Sequence, residues 1–264
     1  MAKIIEFLMV GLVGKYMGGW GQTTQIVVYA LAAAGIIAAA YLLGSLNFAI
    51  IISAKQYKQD IRNYGSNNAG MTNMMRTYGR KAAAFTLIGD ALKAVVSCAI
   101  GYVVLGQIGA YMAGLFCIVG HIFPIYYKFK GGKGVVTAGV TILMCNPLVF
   151  LIVIAIFLII VLFTKYISLG SVMAMLLYPL ILDRVDRLFP IWGVYDEAEG
   201  SIGVIFAVIM TVLIVFKHWT NIKRLFNGTE SKFSFKKSVK AEDLDNSKKS
   251  EEENENKNEN ENEN

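Results

Sequence analysis

Long apolar runs separated by short polar stretches organise this chain. The run IVVYALAAAGIIAAAYLLG, at about 26–44, is the first with a length suited to a bilayer, where a spanning helix needs about 20 apolar residues. A polar, Gly- and Asn-rich segment follows to about residue 80, then apolar runs at about 82–105 and 108–127. The run from 135 to 163 is too long for one span, and Asn146-Pro147 lies inside it. Proline lacks an N–H donor and disfavours helix just before itself, so the pattern predicts a short helix at 135–145, a turn, and a helix at 148–164. A further span is expected at about 168–182. A polar link carrying Asp183, Asp186, Asp196, Glu197 and Glu199 follows, and a last span at about 201–216. The fold class is all-α: a polytopic membrane protein with about seven transmembrane helices.

The ends differ from the middle. In residues 1–24 the run IIEFLMVGLVG is apolar but short, interrupted by Glu6 and followed by Lys15, with no clear cleavage site. An interfacial or loosely packed leader is expected there. The membrane domain is expected over 25–233. Residues 234–264, ending KSEEENENKNENENEN, have almost nothing apolar to bury and predict a disordered, charged cytoplasmic tail.

Composition agrees: 55% of residues are hydrophobic and only four are proline. The net charge of +6 reads as topology rather than as nucleic-acid binding. Lys55, Lys58, Arg62, Arg76 and Arg80, then Lys128, Lys130 and Lys133, then Lys165, then Lys217, Lys223 and Arg224 all fall on one side of alternating spans. The 183–200 link on the other side has only Arg184 and Arg187 as bases. The positive-inside rule places the N-terminus outside and the basic loops and C-terminus in the cytoplasm. Cys98, Cys117 and Cys145 lie in apolar runs and read as small core residues. Asp90 and Lys93, three residues apart in one span, suit a structural ion pair, and His121 reads as a packed polar residue.

Three polar clusters fall on the basic side. DIRNYGSNNAGMTNMMRTYG, Asp60–Gly79, combines glycines that allow close backbone approach with Ser, Asn, Thr and Arg donors. KFKGGKGVVT, Lys128–Thr137, sets glycines and lysines before a predicted helix N-terminus, an arrangement suited to a phosphate. It is not a nucleotide P-loop, which would need Gly at Tyr127 and Ser or Thr at Gly134. FKHWTNIKRLFNGTE, Phe216–Glu230, spaces His218, Asn221 and Arg224 along one helical face.

Together, GSLNFA, GSNNAGMTNMMR, FKGGKGVVT, YISLGS and HWTNIKRLFNGTE resemble the signature segments of the acyl-phosphate:glycerol-3-phosphate acyltransferases, the PlsY family of bacterial inner-membrane enzymes. The resemblance covers about 26–233. Asn47, Asn67, Met71 and Trp219 stand where the family has Pro, Gly, Ala and Arg. The resemblance implies transfer of a fatty acyl group from acyl-phosphate to the sn-1 hydroxyl of glycerol 3-phosphate, giving lysophosphatidic acid and phosphate. That is the first acylation of phospholipid synthesis, in a bacterial cell membrane with the active site facing the cytoplasm. It implies Ser66, Lys133, His218 and Asn221 as catalytic residues. Thr72, Asn73, Arg76, Gly131, Gly132 and Ser171 would bind substrate. Neither metal nor other cofactor, nucleic acid nor obligatory protein partner is implied; the partners are the two substrates and the lipid bilayer. The His-x4-Asp pair of other glycerolipid acyltransferases is absent, since Tyr126 and Lys223 stand where the Asp would be. From the residues alone, a transporter or channel for a phosphorylated metabolite, or a scaffold for anionic head groups, stays open.

Overall fold

The computed structural model describes residues 11–17, 19–189, 195–196 and 200–233. The expected tail, 234–264, and the first ten residues of the expected leader lie outside the described residues. Two compact units divide the chain. One comprises Met1–Asn47 with Leu87–Phe233; among the described residues the other is Phe48–Thr86.

In the larger unit, α1 (Gln22–Gly44) covers the first predicted span and starts four residues earlier. Its end is stitched by Ser45, whose N–H and hydroxyl both donate to the Tyr41 carbonyl. The leader is not wholly loose. Residues 11–17 are helical, and Gly11, at φ 69°, lies so close to Val104 and Gly106 that a Cβ would strike their backbone.

The helix α4 (Arg80–Ile122) is continuous only in hydrogen bonding, because Leu105 and Gly106 leave helical geometry. A Cβ on Gly101 would come within 2.1 Å of the Gly109 carbonyl oxygen, and the reverse contact is equally short. Eight residues along a straight helix are about 12 Å apart. The two limbs therefore fold back on each other as an antiparallel hairpin, with glycine opposite glycine. Only Gly accepts the turn easily, since Gly106 sits at φ 61°. This matches the two spans expected at 82–105 and 108–127.

The predicted break at Asn146-Pro147 is present. α5 (Val135–Cys145) ends there and α6 (Pro147–Thr164) begins with Pro147 in its first turn. Asn146 caps α6 by accepting from the Val149 N–H at 3.1 Å. α7 (Ile167–Leu188) outruns the expected 168–182 by a turn and a half. Asp183 does not end it, because Asp183 pairs with Arg187 one turn on. Asp186 is buried and accepts a 3.0 Å hydrogen bond from the Asn146 side chain. A two-residue antiparallel ladder, β1 (Tyr195–Asp196) with β2 (Gly200–Ser201), precedes α8 (Ile202–Lys217) and the short α9 (Trp219–Phe226). α6 packs on α7 and α7 on α8. Ile118 of α4 and Ile142 of α5 join Val149, Tyr178, Leu182, Met210 and Ile214 in the core of these helices. Leu162, Phe163, Leu180 and Phe216 are exposed, as lipid-facing positions are in a bare chain.

The smaller unit corrects the reading of 45–80 as a polar segment. It holds α2 (Phe48–Tyr57), a 3₁₀ turn at Ile61–Asn63 and α3 (Met71–Tyr78). The Tyr57 and Tyr78 rings stack at 3.9 Å. Among the described residues, four helical stretches are long and apolar enough to cross a membrane: Gln22–Tyr57, Arg80–Tyr127, Pro147–Thr164 and Ile167–Leu188. The α8–α9 pair, bent by 58°, makes a fifth if taken as one span.

Candidate functional site

In the smaller unit the Asp60–Gly79 cluster is a tightly wired loop. Asp60 accepts from the Arg62 N–H at 2.9 Å and pairs with its guanidinium at 2.6 Å. Gly65 and Asn67 both take positive φ, at 60° and 55°. Asn is among the few side chains that tolerate this region, which explains its standing where the resembling family has Gly. Asn73 is the clamp. Its Oδ1 accepts from the Ser66 N–H at 2.9 Å, and its Nδ2 donates to the Ile61 and Tyr64 carbonyls at 3.2 and 2.8 Å. With its amide fully engaged and its side chain buried, Asn73 positions Ser66 rather than facing a ligand. Thr72 and Arg76, one turn apart on α3, are half-buried.

In the larger unit Gly131 and Gly132 do not offer their N–H groups as a free anion nest. Gly132 donates to the His121 carbonyl at 3.1 Å and Gly131 to that of Ile122 at 3.3 Å. The positive φ falls at Gly134, at 78°, which is the N-cap of α5. Two glycines thus lock the loop to the end of the hairpin, and a third turns the chain into α5. The first N–H groups of that helix have no intrahelical partner and carry the positive end of its dipole.

Lys133, beside that N-terminus, is half-buried and donates to Asn221 Oδ1. Asn221 Nδ2 donates to Glu230 Oε1 at 2.7 Å. Glu230 also accepts from the Ser168 hydroxyl at 2.7 Å and from Arg224 Nε at 2.9 Å. A turn through Gly228, at φ 67°, brings Glu230 back beneath α9. Burial raises the Glu230 carboxyl, but the hydrogen bonds from Asn221, Ser168 and Arg224 outweigh it and hold the pKa below the ordinary carboxylate value.

His218 sits at the bend between α8 and α9. Its Nδ1 lies 2.8 Å from the Ile214 carbonyl oxygen, which can only accept. Nδ1 therefore carries the proton, and Nε2 is left as an acceptor. Burial, reinforced by the Lys133 charge, pushes its pKa down to about 4, so His218 is neutral near pH 7.

Lys133, His218, Asn221 and the glycine loop thus lie within this one unit. Ser171 does not join them through its hydroxyl, which donates to Ile167 in its own helix at 2.9 Å; Ser168, one turn earlier, makes the cross-chain bond. Glu230 and Ser168 were missed. The signal for Glu230 was a single acid, after a Gly-Thr turn, in an otherwise basic segment.

Comparison with known proteins places these segments. The family model described as glycerol-3-phosphate acyltransferase matches residues 34–228. A glycerol-3-phosphate acyltransferase of Finegoldia magna is 42% identical over 195 residues, covering 73% of this chain and 91% of the relative. One from Thermoanaerobacter pseudethanolicus is 40% identical over 201 residues, covering 76% and 96%. Among solved structures, PlsY (YgiH), an integral membrane glycerol 3-phosphate acyltransferase, superposes with TM-score 0.66 in its glycerol 3-phosphate form. It is 33% identical, over 76% of this chain and 96% of that one. Its lysophosphatidic acid form gives TM-score 0.64 at 31% identity. With the family model spanning residues 34–228 and relatives 40–42% identical over 73–76% of the chain, the chain belongs to the glycerol-3-phosphate acyltransferase family.

Proposed function

We propose that this protein transfers a fatty acyl group from acyl-phosphate to the sn-1 hydroxyl of glycerol 3-phosphate. The sn-1 oxygen bonds to the acyl carbon, and the acyl carbon–oxygen bond to phosphate breaks. Phosphate leaves, and the hydroxyl proton passes to phosphate or solvent. The products are lysophosphatidic acid and phosphate, the first acylated intermediate of phospholipid synthesis. The observation that carries the reading is the linked set Lys133–Asn221–Glu230 with neutral His218 beside Lys133. Lys133 and the α5 N-terminus supply positive charge for a phosphate. His218 Nε2 is an acceptor for a substrate hydroxyl and would orient it. With a pKa of about 4 the ring is neutral at neutral pH and Nε2 is unprotonated, and an acyl-phosphate is activated enough not to need a stronger base. Ser66, Thr72 and Arg76, within the smaller unit, stand as substrate-binding residues in this reading, Arg76 through its planar fork.

In this reading the chain crosses a bacterial cell membrane about seven times, with the N-terminus outside. The two limbs of α4 count separately and α5 is a short span. The basic loops, the active site and the C-terminus face the cytoplasm, because the bases gather there. The test is purified protein in detergent with acyl-phosphate and glycerol 3-phosphate, followed by phosphate release. Stoichiometric phosphate and lysophosphatidic acid are expected without CoA and in the presence of EDTA. Strict dependence on acyl-CoA would refute the donor assignment. Uptake of glycerol 3-phosphate into vesicles with no phosphate release would make the protein a transporter instead.

A further inference from the structure

Lys93 lies inside the α4 hairpin, almost fully buried. Its ammonium has three N–H donors and no acceptor. They are spent on the Gly44 carbonyl at 3.0 Å, the Leu46 carbonyl at 2.7 Å and His121 Nδ1 at 2.9 Å. Asp90 Oδ1 stands 2.9 Å from the same nitrogen and 3.5 Å from His121 Nδ1, but makes no aligned hydrogen bond. Asp90 therefore acts as counter-charge, while the directional bonds of Lys93 go to three separate pieces of chain: the end of α1, the turn after it, and the second limb of the hairpin.

Those pieces meet at backbone contact. A Cβ on Gly44 would lie 2.2 Å from the Cys117 carbonyl oxygen, and one on Gly120 would lie 2.3 Å from that of Tyr41. The Tyr41 hydroxyl donates to the Phe123 carbonyl at 3.0 Å. From this junction one residue leads to the glycine loop. His121 presents its side chain to Lys93 and its carbonyl to the Gly132 N–H, and Gly131 is pressed so close that a Cβ would stand 2.1 Å from that same oxygen. Lys133 follows Gly132 directly.

A buried ion pair is a poor way to gain stability, since desolvation cancels most of the attraction. An apolar pair of similar volume would hold the hairpin as well. The apolar pair could not reach three carbonyl and imidazole acceptors at once. We propose that Lys93, with Asp90 as its counter-charge, is a positioning residue: through His121 and the Gly44–Leu46 turn it sets where the Gly131–Lys133 segment lies for substrate phosphate. The consequence for catalysis rests on the proposed function; the mechanical link does not.

The test uses the full chain in detergent, with two readouts. The first is hydrogen–deuterium exchange of the peptide 128–136 without substrate, against a peptide from α6 as internal control. The second is KM for glycerol 3-phosphate against kcat. His121→Leu removes the acceptor, whereas His121→Asn keeps one near the position of Nδ1. With His121→Leu, exchange at 128–136 should rise at least about tenfold while α6 is unchanged. KM should rise at least about fivefold with a smaller loss in kcat. His121→Asn should restore both to within about twofold of wild type. Unchanged exchange in His121→Leu, an equal rise across α6, or no rescue by Asn would overturn the proposal. Should His121→Leu fail to insert, Lys93→Gln decides: it cannot supply three N–H groups, and wild-type exchange and KM in that variant would refute the role. A wild-type protein without acyltransfer would sink the proposed function but leave the exchange result standing.

Discussion

Two lysines five positions apart carry the argument at the scale of single residues. Lys128 is exposed, in a left-handed turn at φ 54°, where an interfacial anchor is a sufficient account. Lys133 is half-buried and tied to Asn221, and through it to Glu230. Charged contacts in such partly dehydrated settings are worth roughly 2–5 kcal/mol. Lys133→Ala should therefore lower kcat/KM by at least about tenfold, the equivalent of about 1.4 kcal/mol, and Lys128→Ala by no more than about twofold. Initial rates on variants with unchanged melting in detergent decide it; equal losses would reduce the loop to a generic basic patch. Residue types in the motifs were legible, but not every role. Asn73 and Thr72 are adjacent and equally polar, yet one holds the loop from inside and the other stays half-buried at the start of α3. Ser168 and Ser171 share a turn, yet only Ser168 reaches Glu230. Sequence supplies the donors; which way the backbone aims them depends on neighbours dozens of residues away.

Helices are decided partly by local rules. Asn146-Pro147 broke a long apolar run where expected, because a missing N–H and an Asn cap act within four residues. Gly106 turned the hairpin for an equally local reason. What local rules did not reach is how close the two limbs come. Glycine faces glycine at 101 and 109, in the manner of membrane helices that associate through small residues. Gly109→Ala should cost stability in proportion to the forced separation, at about 2–4 °C of melting temperature per kcal/mol for a chain of this size. Gly35→Ala, on α1 with nothing within 4 Å of the new methyl, should be neutral or stabilising by the usual entropic route. Detergent melting curves of the two variants make the comparison; equal melting temperatures would mean the hairpin contact carries no weight. The extension of α7 to Leu188 and the polar helix α3 were illegible for a related reason. Their charged and amide side chains read as loop until Asp186 is seen buried on Asn146, and Asn73 on its own loop's carbonyls.

For the whole molecule, orientation is the outstanding prediction. Lys130→Cys places a thiol at an exposed loop position, while Cys98, Cys117 and Cys145 are buried and should stay unreactive. A membrane-impermeant maleimide should label it in inverted vesicles and not in right-side-out ones; the opposite pattern would reverse the topology. The amino-acid sequence by itself determined that this is a helical membrane protein, where its apolar runs break, and which three polar segments interrupt them. A bilayer demands apolar stretches of fixed length, proline and glycine act on their immediate neighbours, and the bases mark their own loops. Only the tertiary structure decided which polar groups are spent inside the fold, and on which partners. Lys93 reaches carbonyls 49 and 47 residues away, and Lys133 an amide 88 residues away. In an apolar interior every donor must find an acceptor, so a group's role is settled by the partner that folding brings to it.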